Sequence, residues 1–132
     1  MKRAFTLTAT TALLTLAATG TASAAPTHVF IDGFAPHYFT STKRAPDAAD
    51  VFGRLDSTKQ KCVVGRKVNV YFVQSGPDRK LGTDTSDSNG GWSLMILFDD
   101  FDPGDYYAKA PKSVLHDGTV CDADRSQELA SV

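Results

Sequence analysis

The sequence predicts an all-β domain: a small antiparallel β-sandwich of about seven strands with one disulfide. Three observations carry this. Short apolar stretches recur at near-regular spacing, separated by clusters of Gly, Pro, Asp and Asn, the punctuation of sandwiches and barrels. Val68, Val70 and Phe72 alternate with Lys67, Asn69 and Tyr71, the two-residue period of a half-buried strand. No window of useful length places apolar residues at i, i+3, i+4 and i+7, so helices are not expected.

The chain opens on an address. Lys2 and Arg3 form a positive n-region, Ala4 to Ala18 is a short apolar run broken by threonines, and Ala22-Ser23-Ala24 matches an A-x-A cleavage signal. The run is too short and polar to span a membrane. Residues 1–24 are therefore expected to be a signal peptide, cut after Ala24 or Ala25, and residues 25–132 a single exported domain with no membrane span. That length suits one core. Without Lys2 and Arg3 the chain holds 12 basic and 15 acidic side chains, a net charge of −3. Such a balance argues against a nucleic-acid binder, which needs a basic face. A hydrophobic content of 42 % excludes wholesale disorder.

His28 to Ile31 reads as the first strand, with Val29 and Ile31 on one face and His28 and Phe30 on the other. Gly33 to Ala48, with Pro36 and Pro46, reads as irregular apart from a fragment at His37-Tyr38-Phe39-Thr40. Asp47-Ala48-Ala49-Asp50 has room for one helical turn. Asp50 to Leu55 is the next strand, with Val51, Gly53 and Leu55 sharing a face. Asp56 to Gly65 is a polar connection, Arg66 to Phe72 the clearest strand, and Lys80 to Asp84 a weaker one.

Thr83 to Ala108 organises the rest. The turn Asp87-Ser88-Asn89-Gly90-Gly91 is dense in residues that accept positive φ or bond their own backbone. The strand Trp92 to Phe98 follows, then the break Asp99-Asp100-Phe101-Asp102-Pro103-Gly104, then the strand Asp105 to Ala110. Two strands joined by a short Gly-containing break are expected to pair antiparallel. Pro111 to Asp124 reads mostly as loop, and Ser126 to Val132 as a last strand.

Export implies an oxidising compartment, where Cys62 and Cys121 are expected to form the one possible bridge. Two free thiols, or metal binding with a histidine, are the alternatives, and the spacing fits no zinc pattern.

Thr83-Asp84-Thr85 followed by Asp87-Ser88-Asn89-Gly90-Gly91-Trp92-Ser93, with Pro103-Gly104-Asp105-Tyr106 downstream and Gly65-Arg66-Lys67-Val68-Asn69-Val70 upstream, resembles carboxypeptidase regulatory-like domains. The resemblance covers about Phe52 to Lys109. It implies a transthyretin-like (prealbumin-like) sandwich, usually non-catalytic and extracellular. The chain departs from the family pattern in standing without a catalytic neighbour and in adding the Cys62–Cys121 bridge.

Candidate chemistry is sparse. Asp99, Asp100, Asp102 and Asp105 are the best metal candidates, since calcium takes six to eight oxygens from a flexible loop. Asp84, Asp87 and Asn89 form a second group. Neither matches the EF-hand loop, and Glu128 is the only glutamate. The competing reading is a solvated acidic turn that discourages edge pairing. His28, His37 and His116 are too scattered for a metal motif, and G-x-S-x-G is absent, so an enzyme is not expected. Of the aromatics Trp92, Tyr38, Tyr106 and Tyr107, strand phase puts Trp92 and Tyr106 in the core and Tyr107 on the surface, a candidate for stacking on a sugar. The basic run from Lys59-Gln60-Lys61 to Arg66-Lys67 reads as a solvated loop. The expected function is a non-catalytic secreted structural or interaction module with an extracellular protein or glycan as partner. A calcium-dependent or carbohydrate-binding module at the cell envelope is the alternative. An inhibitor would use the loop Asp117-Gly118-Thr119-Val120-Cys121.

Overall fold

A computed structural model of the chain describes residues 24–39 and 46–131. The expected signal peptide up to residue 23, Thr40 and Val132 lie outside the described residues. Two antiparallel sheets face each other. The first has strand order β1-β2-β5, from β1 (Thr27–His37), β2 (Ala48–Ser57) and β5 (Gly91–Leu97). The second has order β10-β6-β3-β4, from β3 (Lys67–Phe72), β4 (Arg79–Thr85), β6 (Gly104–Ala110) and β10 (Leu129–Ser131), and β9 (Asp124–Arg125) also pairs with β6. A two-residue hairpin of β7 (Ser113–Val114) and β8 (Val120–Cys121) stands apart. Among the described residues no helix is long and apolar enough to cross a membrane.

Alternation explains why these segments are strands. In β2, Val51, Gly53 and Leu55 are buried while Phe52, Arg54 and Asp56 are exposed. In β3, Val68 and Val70 are buried and Lys67 is exposed. The inward sets meet in one core: Val29, Val51, Leu55, Trp92 and Ile96 from the first sheet, against Val68, Val70, Tyr106, Ala108 and Ala110 from the second. Each large side chain among them contributes roughly 1.5–3 kcal/mol by leaving water. The core also dictates one glycine. A Cβ at Gly53 would overlap the Phe30 carbonyl and lie 2.6 Å from the Trp92 ring.

Three expectations of the sequence are corrected. The first strand does not end at Ile31. A register shift between Ile31 and Gly33 lets it continue to His37, with Pro36 inside it. The segment from Ala48 to Asp50 is strand, not a helical turn, paired on both sides. The segment from Pro111 to Asp124 is mostly loop, as expected, with the short β7–β8 hairpin bringing Cys121 to the disulfide. Finally, β5 and β6 do not pair. A 3-10 turn, Phe98–Asp100, carries the chain from one sheet to the other, and Phe101 turns inward to stack on Tyr106 at 5.3 Å. The apolar residue within the acidic break makes it a sheet-crossing rather than a hairpin.

The Cys62–Cys121 disulfide is formed, across a sequence separation of 59. Both cysteines are fully buried and share a small second cluster with Ala25 and Leu115.

Candidate interaction surface

The acidic break is not assembled as a ligand set. Asp99 and Asp100 sit in the exposed 3-10 turn, Asp105 is the second residue of β6, and the Asp102 carboxylate accepts from Arg79 Nη2 at 2.9 Å. The Asp102 carbonyl accepts the Tyr106 hydroxyl at 2.6 Å. In the second acidic group, Asp84 Oδ2 accepts the Ser93 N–H at 2.8 Å, and Asp87 Oδ1 accepts the N–H groups of Asn89 and Gly91. These carboxylates serve the backbone. Among the described residues no three His, Cys, Asp or Glu side chains are grouped to hold a metal ion.

Tyr107 is not a surface platform. It is 5 % exposed, against the outward position its strand phase gave it. Tyr71 stacks on it at 5.1 Å and 11°, the Arg125 guanidinium lies 3.7 Å from its ring centroid, and its hydroxyl donates to Asp78 Oδ2 at 2.7 Å. The short β9 lays Arg125 beside Lys109, on the outer face of β6, where its guanidinium covers Tyr107 while Asp105 and Lys109 stay exposed. Burial, then the bond to Asp78, push the Tyr107 phenol up to about 12. Tyr106 is in the core, where burial also raises its pKa, and so is Trp92, whose indole N–H has no partner among the described residues. Tyr38 alone of the four is exposed.

The basic run divides. Lys61 pairs with Asp117, whose carboxyl it holds well below the usual carboxylate range, so the 117–121 loop is tied down at its tip. Arg66 is 3 % exposed and lies in the interior beside the disulfide, contrary to a solvated loop. His28 and His116 are exposed, and His37 Nδ1 meets Asp50 Oδ2 at 2.9 Å. Among the described residues no hydroxyl or thiol bonds the His37 ring, and both cysteines are oxidised.

What the fold does build is an apolar outer face on the three-stranded sheet. Phe30, Phe52, Met95 and Leu97 are all exposed. The register sets Phe30 opposite Arg54 and Met95 opposite Asp50, so Phe52 lies diagonal to both. The four make one stripe from β1 across β2 to the end of β5. Arg54 lies 4.4 Å over the Phe30 ring and bonds Asp32 at 2.6 Å, a charged border to that stripe. At its other end, a groove of about 420 Å³ opens between β4 and β5, lined by Arg79, Lys80, Leu81, Met95, Ile96, Leu97 and Asp100. No signal in the sequence marked this face, because on their own strand faces Phe30 stands between His28 and Asp32 and Phe52 between Asp50 and Arg54, and the two converge only through strand pairing.

No family model matches the chain, and neither a curated protein nor a solved structure matches it.

Proposed function

We propose that this chain is an exported, non-catalytic interaction module whose working surface is the outer face of the three-stranded sheet. The observation that carries the reading is the exposed stripe Phe30, Phe52, Met95 and Leu97. An apolar run with a polar rim on a small domain is the usual mark of a binding surface. The opposite outer face, by contrast, seals its aromatics under Arg125 and carries Lys67 and Lys109 outward. The buried disulfide is compatible with export. The Pro103-Gly104-Asp105-Tyr106 and Asp87–Gly91 elements support kinship with carboxypeptidase regulatory-like sandwiches, and that kinship bears on architecture rather than on a ligand.

The Ala25 N–H donates to the Val120 carbonyl and its carbonyl accepts from Asp122, so cleavage after Ala24 keeps a docked first residue. The surface is tested by placing a photo-crosslinking phenylalanine analogue at Phe52 or at Lys109 in the exporting cell. Discrete adducts from Phe52 and none from Lys109 support the reading. Equal adducts from both, or recovery of an uncleaved chain inside the cell, overturn it.

A further inference from the structure

A sandwich with two open sheets has exposed edges, and this chain treats them unequally. In β1, the Asp47 N–H donates to the His37 carbonyl, so His37 faces β2 and Pro36 faces outward, where it has no N–H to offer. The register shift at Ile31/Gly33 bends the same edge, and Asp124 Oδ2 accepts the outward Val29 N–H at 2.8 Å. These are the usual devices against strand addition.

The edge of β5 is only half protected. The Leu55 N–H donates to the Gly90 carbonyl, so residues 90, 92, 94 and 96 face β2 while 91, 93, 95 and 97 face away. Asp87 takes the Gly91 amide and Asp84 the Ser93 amide. The main-chain groups of Met95 and Leu97 point into the groove beside β4, and among the described residues nothing bonds them. Their side chains are each 46 % exposed.

We infer that this edge pairs with the same edge of a second copy, β5 antiparallel to β5 about a two-fold axis at Ile96. Met95 of each copy then lies opposite Leu97 of the other, and each gives its N–H to the other's carbonyl. Three features favour a second copy over a foreign strand. The strand Gly91–Leu97 carries no charge, so nothing on it repels its own image. Lys80 beside the Leu97 end has no ion-pair partner among the described residues, and neither do Asp84 and Asp87 beside the Gly91 end. Antiparallel pairing sets Lys80 of one copy toward Asp84 and Asp87 of the other, on both sides of the axis, as a self-complementary interface requires. The pairing goes beyond the function proposed above. It leaves the outer face open and joins two such faces into one six-stranded sheet.

The test is sedimentation equilibrium of the disulfide-intact protein as the exporting cell releases it, over a range of concentrations. A reversible dimer is expected. Leu97 already has φ −62°, a proline value, and its N–H serves only the free edge. Leu97→Pro should therefore keep the thermal midpoint and weaken the dimer by at least about tenfold. Leu97→Val should keep it. Should Leu97→Pro unfold, Met95→Lys with Leu97→Lys sets like charges opposite each other on exposed positions and should give a monomer. Lys80→Glu should weaken pairing, most at low salt. A monomer at every concentration, or a dimer that survives both the proline and the double lysine variants, overturns the inference. Because no other molecule is present, that failure leaves the outer-face reading standing.

Discussion

Arg66 shows most directly how one side chain can organise a region. Its guanidinium is buried, and among the described residues no carboxylate pairs with it. It donates instead to the Thr27 hydroxyl and to the carbonyls of Cys62, Pro111 and Asp122, at 2.8–3.1 Å. Its own N–H donates to Ser86 Oγ. Burial lowers its pKa, the sign of a charge held at a cost. Removing it strands several buried acceptors at once, so Arg66→Ala should cost about 3 kcal/mol or more in a urea titration. Arg66→Lys should recover only part, since an ammonium cannot reach a forked set of carbonyls. A loss under about 1 kcal/mol for Arg66→Ala would mean that those acceptors find water instead. Tyr107 gives a pH test. Its phenol is held up to about 12 when folded, against an ordinary value of 10.0, so the folded state keeps this proton more tightly. That contribution to stability is complete below pH 10 and is lost as pH rises toward 12. Tyr107→Phe should flatten the fall of unfolding free energy across that window, and an unchanged slope would assign the alkaline transition elsewhere.

At the level of elements, the two aspartate clasps are the distinctive feature. Asp124 ties β1 to the second sheet on one side, and Asp84 ties β5 to β4 on the other. Each alanine variant should cost about 1 kcal/mol, the usual worth of a charge-assisted bond to one amide at a partly wet site. Their effects on assembly should differ. Asp84→Ala removes a charge that Lys80 of the second copy faces and should weaken β5 self-pairing, whereas Asp124→Ala should leave it unchanged. Sedimentation of the two variants at matched concentration checks this, and equal behaviour would remove the distinction between the edges. The same elements show what the sequence could tell. In β2 and β3 one face is buried and one wet, so period-two alternation placed Val51, Leu55, Val68 and Val70 correctly. In β1 it put Val29 and Ile31 inward and His28 and Phe30 outward, as observed, but it lost the strand after Ile31, where the register shift changes phase and Pro36 reads as a breaker although it sits harmlessly on a free edge. It failed for Tyr107 because a two-residue strand far along the chain covers that ring on the second face of β6. The apolar stripe was invisible for a related reason: its members come from three strands, and only their register makes them neighbours.

For the whole molecule, the decisive fact is that closure is non-local. The first sheet takes its strands from residues 27 to 97 and the second from 67 to 131, interleaved along the chain. Folding must therefore close long loops before the shared core stabilises them. The Cys62–Cys121 bridge acts on this cost. It joins the turn after β2 to the hairpin that follows β6, across 59 positions, and the chain-entropy model gives such a loop about 4 kcal/mol. Arg66 works on the same corner, bonding the carbonyl of Cys62 and that of Asp122, the neighbour of Cys121. The two devices should thus be coupled. With the bridge removed by Cys62→Ala and Cys121→Ala, the thermal midpoint should fall by roughly 15–25 °C for a domain of this size. Adding Arg66→Ala to that variant should then cost less than it does in the oxidised protein, because the Cys62 and Asp122 carbonyls are no longer pinned together in space. Strict additivity in the cycle would make the clamp and the bridge independent. Both cysteines are fully buried. Reduction of the folded protein by a soluble thiol should accordingly proceed at the rate of opening, nearly independent of thiol concentration once thiol is in excess, and a rate that keeps rising with thiol would show a bridge reached without unfolding.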